Sequence, residues 1–221
     1  MKLKRVMMQL FRSAVTVVVV GTMAVMIFSL RAEVAEAKAK ARAAADAGPG
    51  LFETIHARTS VRKFDPSRPV SDAAVETILK AAMCAPSAMD RRPWEFVVVR
   101  DRAQLDALAQ RLPNSRVGNG AQLAIVVCGT TDNGLPGRGK EYWIHDCSAA
   151  SMNILLAAKG LGLGAVWTGV YPGEARIAAV KEVLKIPQGY LPLNIIPIGY
   201  PAEDPAPKDK WNPAKVHRDR W

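Results

Sequence analysis

Tyr142 to Pro172 reads YWIHDCSAASMNILLAAKGLGLGAVWTGVYP, and this stretch has no stable place on a solvated surface. From Trp143 to Ala158 the apolar and small residues (Trp143, Ile144, Cys147, Ala149, Ala150, Met152, Ile154, Leu155, Leu156, Ala157, Ala158) cover nearly every face of a helix. No polar stripe is left to face water, so the helix must be enclosed by its own domain or by a second subunit. Lys159 suits the carbonyl end of that helix, and Gly160 readily takes the left-handed position that terminates it. Gly162, Gly164 and the run Ala165-Val166-Trp167-Thr168-Gly169-Val170 then read as a buried strand closed by Tyr171-Pro172. A backbone flanked by glycines lets a flat ligand come close.

Length and charge bound what surrounds this unit. With the first 50 positions set aside, roughly 170 residues remain, enough for one ordinary core. The net charge of +10 divides evenly, with eight Lys/Arg and three Asp/Glu in residues 1–50 against 22 and 17 in residues 51–221. An excess of this size requires no basic nucleic-acid stripe, and nucleic acid is not an expected partner; small anionic ligands such as phosphates fit it equally well. Cys84, Cys128 and Cys147 are odd in number, widely spaced and without a C-x-x-C pair, so they read as core residues.

The N-terminus is a separate physical object. Lys2, Lys4, Arg5 and Arg12 precede 18 uncharged residues from Ser13 to Leu30, a length between a signal-peptide core and a full bilayer span. Residues 1–30 therefore read as a signal anchor, or as an export signal cleaved near Ala35-Glu36-Ala37. The basic flank favours a cytoplasmic N-terminus and an exported remainder. Residues 31–50 form a polar, alanine-rich linker that ends at Gly48-Pro49-Gly50, and residues 51–221 form the globular domain.

The domain opens with a short amphipathic turn, Leu51 to His56, and runs into Arg58-Thr59-Ser60-Val61-Arg62-Lys63. In an extended segment Arg58, Ser60 and Arg62 share one side. Two guanidinium forks beside a hydroxyl suit a phosphate, and a solvated charged loop explains the same residues as well. Ser71-Asp72 starts a helix that reaches Ala85 and is stopped by Pro86. Pro86-Ser87-Ala88 to Trp94 is then a loop leading into a strand at Glu95 to Val99. Asp101 caps a further helix to about Leu112, Leu123 to Cys128 is a buried strand, Glu174 to Lys185 is helical, and Leu193 to Tyr200 is another long apolar strand. Four strands among about five helices give an α+β domain with a central sheet.

Three tempting patterns fail on chemistry. Gly134 to Lys140 has P-loop spacing, but Glu141 stands where Ser or Thr must hold magnesium. Gly160-x-Gly162-x-Gly164 follows a helix and precedes a strand, the reverse of the order a dinucleotide-binding turn requires. His56, His145 and His217 lie away from any Cys or carboxylate at metal spacing, so no metal is expected. The last 21 residues are rich in proline, yet carry Trp211 and Trp221, which argues for docking rather than a free tail.

Five segments in order resemble the FMN-dependent nitroreductase family across about residues 50 to 221: Arg58 to Arg62, Pro86-Ser87 through Pro93-Trp94, Asp146 to Ala158, Gly160 to Gly169, and Pro207-Lys208-Asp209-Lys210. The resemblance implies a nitroreductase-like α+β fold with a mixed central sheet flanked by helices, built as an intertwined homodimer with FMN at each of two interface sites. It implies electron transfer from NAD(P)H through FMN to a nitro, quinone or similar acceptor. It places Arg58, Thr59, Ser60 and Arg62, with Lys208 and Lys210, at the FMN phosphate and ribityl end, and Arg62 near the pyrimidine edge. It brings Pro86, Ser87 and Ala88 to the ring from the partner subunit and lays Trp167, Thr168 and Gly169 along it, with a backbone N–H toward N5. No side chain is expected to act as nucleophile or acid, because the flavin carries the chemistry. Asp90 and Arg92 depart from the Asn and Gln common in the family's loop, which bears on substrate choice, and an exported domain would bear on the electron donor. The alternatives are a non-catalytic FMN or nucleotide binder of the same fold and a membrane-tethered interaction protein without cofactor. For location, the alternatives to an anchored domain are a cleaved, secreted one and a cytoplasmic one.

Overall fold

A computed structural model describes residues 26, 29–36, 50–130, 137–203 and 205–221. The chain divides into two units, Met1–Pro49 and Gly50–Trp221. No helix among the described residues is long and apolar enough to cross a membrane. The uncharged run from Ser13 to Leu30 falls almost wholly outside the described residues, as does much of the glycine pattern from Gly134 to Lys140.

In the second unit, helices α1 (Leu51–Ala57) and α2 (Asp72–Met83) precede strand β1 (Trp94–Val99), helix α3 (Arg102–Arg111) and strand β2 (Leu123–Thr130). Helix α4 (Tyr142–Gly160), the short strands β3 (Gly164–Ala165) and β4 (Thr168–Gly169), helix α5 (Glu174–Leu184) and strand β5 (Tyr190–Gly199) complete it. The N-caps are those the sequence signals: Ser71 Oγ accepts from the Ala74 N–H at 3.2 Å and Asp101 Oδ1 from the Gln104 N–H at 2.9 Å.

The sheet runs β1-β2-β5-β3, with β4 also on β5, and every ladder is antiparallel. Its mixed character rests on one parallel bridge, Ser60 to Ala165. Alternation along each strand sends side chains to two cores. Leu123, Ile125 and Val127 of β2 meet Ile78 of α2 and Ile154 of α4 on one face. Ala124, Val126 and Cys128 meet Leu105 and Leu108 of α3 and Val180 of α5 on the other.

Three expectations change. The strand expected from Ala165 to Val170 is two strands interrupted at Val166 and Trp167, although Ala165 opposite Ile198 and Thr168 opposite Ile195 lie in one register. That register puts Pro197 opposite Val166, and proline has no N–H to donate to the ladder. The left-handed residue that closes α4 comes two positions later than expected: Gly162, not Gly160, has positive φ (72°), and the Leu163 N–H closes onto the Ala158 carbonyl at 2.8 Å. Cys84 is exposed rather than in the core, while Cys128 and Cys147 are buried; burial pushes both thiols up to about 12.

Within this one chain α4 buries a stripe, Trp143, Cys147, Ala150, Ile154 and Ala158, and leaves Met152 exposed and Leu156 half-buried. The Trp143 ring lies on Gly129 so closely that a Cβ there would stand 2.2 Å from it. Gly129→Ala should cost ~1–3 kcal/mol by overpacking, read by urea unfolding. Gly160→Ala, with nothing within 4 Å of the added carbon, should leave stability unchanged or raise it.

Candidate functional site

The far edge of the sheet follows from hydrogen-bond parity. In an antiparallel strand, successive residues turn their N–H and C=O to opposite sides. The Val170 N–H reaches the Leu193 carbonyl of β5 at 2.9 Å, so Val170 and Thr168 face β5, and Gly169, Trp167 and Ala165 face away from it. Ala165 is taken on that side, its carbonyl accepting from the Val61 N–H at 3.1 Å. The Gly169 carbonyl accepts from Arg176 Nη1 at 3.0 Å. Beyond Ala165 no further strand pairs along this edge among the described residues, so the N–H groups of Trp167 and Gly169 face an open rim.

The segment carrying Arg58, Thr59, Ser60 and Arg62 is brought to the start of that rim. Arg58 is extended (φ −64°, ψ 120°) where α1 ends, and Ser60 bridges Ala165. Gly164 permits this approach, since a Cβ there would sit 2.7 Å from Val61. The segment is pinned further along by Asn119, whose Nδ2 donates to the Arg62 carbonyl at 2.8 Å, and by the Asp65 N–H on the Tyr200 carbonyl at 2.9 Å. Arg62 is exposed and Arg58 half-buried, so both guanidinium groups remain near solvent. From Ala165 to Gly169 the rim spans five residues, roughly 13 Å of extended chain.

Pro86, Ser87 and Ala88 lie elsewhere. The Ala88 N–H donates to Asp146 Oδ1 of α4 at 3.0 Å, and the Arg92 N–H donates to Ser87 Oγ at 2.9 Å. Met89, Asp90 and Arg92 are all left-handed (φ 53°, 53° and 48°). Such non-glycine residues cost of order 1–3 kcal/mol each and persist only when their surroundings impose them. Arg92 forks onto Asp90 (2.7 and 2.6 Å), which holds the Asp90 carboxyl below its ordinary value and the Arg92 guanidinium above its own. The loop thus belongs to the N-terminal end of α4, whereas β3 follows its C-terminal end. Asp146 and Ala158 are twelve residues apart, roughly 18 Å along the axis.

The C-terminal residues join neither group. Lys208 and Lys210 are exposed coil. Trp211 is 73% exposed and Trp221 fully so, stacked only on His217 at 4.1 Å; the docking expected of the tryptophans is not made within this chain. Asp146, 6% exposed and the buried carboxylate among the described residues, was not singled out from the sequence. Neither was Arg176, which looks like an ordinary surface position of α5.

The Nitroreductase family model matches residues 55–115 and 106–200. A protein of Methanothermobacter thermautotrophicus, provisionally named NADH dehydrogenase/NAD(P)H nitroreductase, is 44% identical over 172 residues, 77% of this chain and 87% of the relative. A crystal structure from Parabacteroides distasonis with the same provisional name is 47% identical with a TM-score of 0.72, covering 77% of this chain and 98% of that one. An FMN-dependent nitroreductase from Clostridium difficile R20291 is 32% identical with a TM-score of 0.69, over 76% and 98% of the two chains.

Asp146→Ala should release the loop at Ala88. Removing a charge-assisted hydrogen bond costs ~1.5–3 kcal/mol, and hydrogen exchange should show the Ala88 amide losing protection while the β2 and β5 amides open only with the whole domain; unchanged protection at Ala88 would contradict the assignment.

Proposed function

The chain belongs to the nitroreductase family, and from that premise we propose that it is an FMN-dependent oxidoreductase that takes electrons from NAD(P)H and delivers them to a nitro, quinone or similar acceptor. The observation that carries this reading is the open rim at Trp167 and Gly169 beside a segment bearing Arg58, Arg62 and Lys63. Bound FMN would supply the hydride chemistry, so the protein needs no nucleophile. The residues here place and polarise. The Gly169 N–H would be the donor for the flavin N5, and Trp167 and Thr168 would lie along the ring. Arg58, Thr59, Ser60 and Arg62 would hold the phosphate and ribityl end, and Lys208 and Lys210, exposed and apart from that segment within one chain, would join them there when FMN is bound. Arg62 at the pyrimidine edge favours negative charge there, since a fixed cation costs no reorganisation when charge develops.

A homodimer is part of the proposal. Pro86, Ser87 and Ala88 sit at the opposite end of α4 from the Arg58 segment, so one flavin meets both only if the loop comes from a second copy. The half-exposed apolar positions of α4 and the uncovered Trp211 and Trp221 support that assembly, and C2 dimers are the commonest arrangement. Arg58→Ala should weaken FMN binding by ~1.5–3 kcal/mol, measured by flavin fluorescence. Equal affinity in the variant would remove Arg58 from the site. Wild-type protein should be yellow and bleach anaerobically with NADH or NADPH; a colourless protein would end the flavin reading.

The place of work is a further part of the proposal. Residues 1–30 act as an anchor, residues 31–50 as a linker, and residues 51–221 as the catalytic domain on the far side of the membrane. The support is the uncharged run behind four cations. Full-length protein should then sediment with membranes, and alkaline phosphatase fused after Trp221 should be active. Protein found only in the cytosol would overturn the anchor, and inactive fusions in a membrane-bound protein would overturn the orientation.

A further inference from the structure

A cavity of about 170 Å³ opens beside β4, lined by Arg111, Leu112, Pro113, Thr168, Gly169 and Arg176 among others. Resting on the reading of the β4 rim as the flavin edge, we propose that this cavity is the subsite for the carboxylate of an aromatic acceptor, and that Arg176 selects it. Four features point there.

The first is position. Arg176 Nη1 donates to the Gly169 carbonyl at 3.0 Å, so this guanidinium is fixed on the same residue whose N–H faces the rim. A molecule whose reducible group stands at the rim can reach Arg176 across a single residue. The second is spare donors. One N–H of the guanidinium is spent on Gly169, which leaves the Nε and Nη2 edge, and among the described residues no carboxylate pairs with it. That edge is one planar fork, the geometry that receives a planar carboxylate through two parallel bonds.

The third is charge. Arg111 also lines the cavity, but its fork is occupied by Glu182 of α5, Nη1 donating to Oε1 at 3.2 Å and Nη2 to Oε2. That pair is neutral together, so Arg176 leaves the cavity one positive charge in excess. Glu174, two positions earlier in the first turn of α5, is exposed and does not share its helix face. The fourth is size and wall. A cavity of about 150 Å³ is known to take up benzene, so this one holds a single ring against Leu112 and Pro113.

The test is a calorimetric titration of the full-length protein with benzoate and with benzamide, the same ring carrying a neutral amide. Wild-type protein should bind benzoate at least tenfold more tightly than benzamide. Arg176→Gln should weaken benzoate at least tenfold and leave benzamide within about twofold. Equal affinity for the two rings in the wild type, or an equal fall for both in the variant, would overturn the proposal, the latter because it reports disturbance of β4 rather than loss of a carboxylate partner. In turnover, Arg176→Gln should raise KM for 4-nitrobenzoate and spare that for 4-nitrobenzyl alcohol. Colour is scored separately: a colourless wild type is a failure of the proposed function, whereas a yellow protein that treats both rings alike is a failure of the subsite.

Discussion

Each residue of β5 has one C=O and, except at Pro192 and Pro197, one N–H to give, both on the same side, and the side alternates. This constraint sets the rest. The Ile198 carbonyl is committed to β2 through the Gln122 N–H at 3.1 Å, so Pro197 faces β3 and β4, where it has nothing to donate. The ladder breaks opposite it, at Val166 and Trp167. The parity survives the break, so Ala165, Trp167 and Gly169 all turn outward. One outward position is closed by Val61, and the others form the rim. A proline in the centre of a sheet is ordinarily a defect; here it falls where regular pairing gives way to a surface that can receive a ligand.

The rim is held at fixed depth by α4, and a buried polar connection fixes α4 on the sheet. Asn194 of β5, opposite Gly169 in the register, is fully buried and donates from Nδ2 to Ser151 Oγ at 2.8 Å. Ser151 in turn donates to the Cys147 carbonyl at 2.7 Å within α4. Asn194 Oδ1 is buried without a protein partner among the described residues, a condition that costs ~1–3 kcal/mol unless water supplies a bond. An apolar residue there would avoid that cost but would let α4 slide; a directional bond between helix and strand ties the position of Gly169 to that of Asp146 at the far end of the helix.

Much of this was legible in the sequence because it depends on near neighbours. Ser71 and Asp101 announce their helices three residues ahead of the N–H groups they accept. The apolar character of Trp143 to Ala158 shows in the sequence, though not which face this chain buries through Trp143, Cys147, Ala150 and Ile154, and the hydroxyl and guanidinium groups at Arg58 to Arg62 stand together in any extended chain. What escaped depends on partners distant in sequence. The split of β3 from β4 is caused by Pro197, some thirty residues on, and is visible only once the register is known. Asp146 lies amid apolar residues and gains its meaning from Ala88, on another element. Arg176 has the spacing of a solvated helix position, and only the parity of Gly169 shows what its guanidinium meets. Gly160 and Gly162 both satisfy the local pattern for a helix stop; the choice falls to Gly162 because Leu163 must be buried immediately after it.

The length of α4 bears on the proposed assembly. The loop at Pro86 to Ala88 is tied to the N-terminal turn of the helix by Asp146, and the Arg58 segment is tied to β3 beyond its C-terminal turn. A rigid helix roughly 18 Å long between these anchors cannot shorten to bring them to one ligand, because bending it would break the backbone ladder and expose Ile154 and Ala158. In the proposed homodimer a second copy would supply the loop, so that neither chain would need to distort to bring it beside the Arg58 segment. The strain held in Met89, Asp90 and Arg92 then has a physical use. A loop already fixed by Asp146 and Ser87 would meet the proposed flavin without losing further conformational freedom, so the ordering cost would fall on folding rather than on binding.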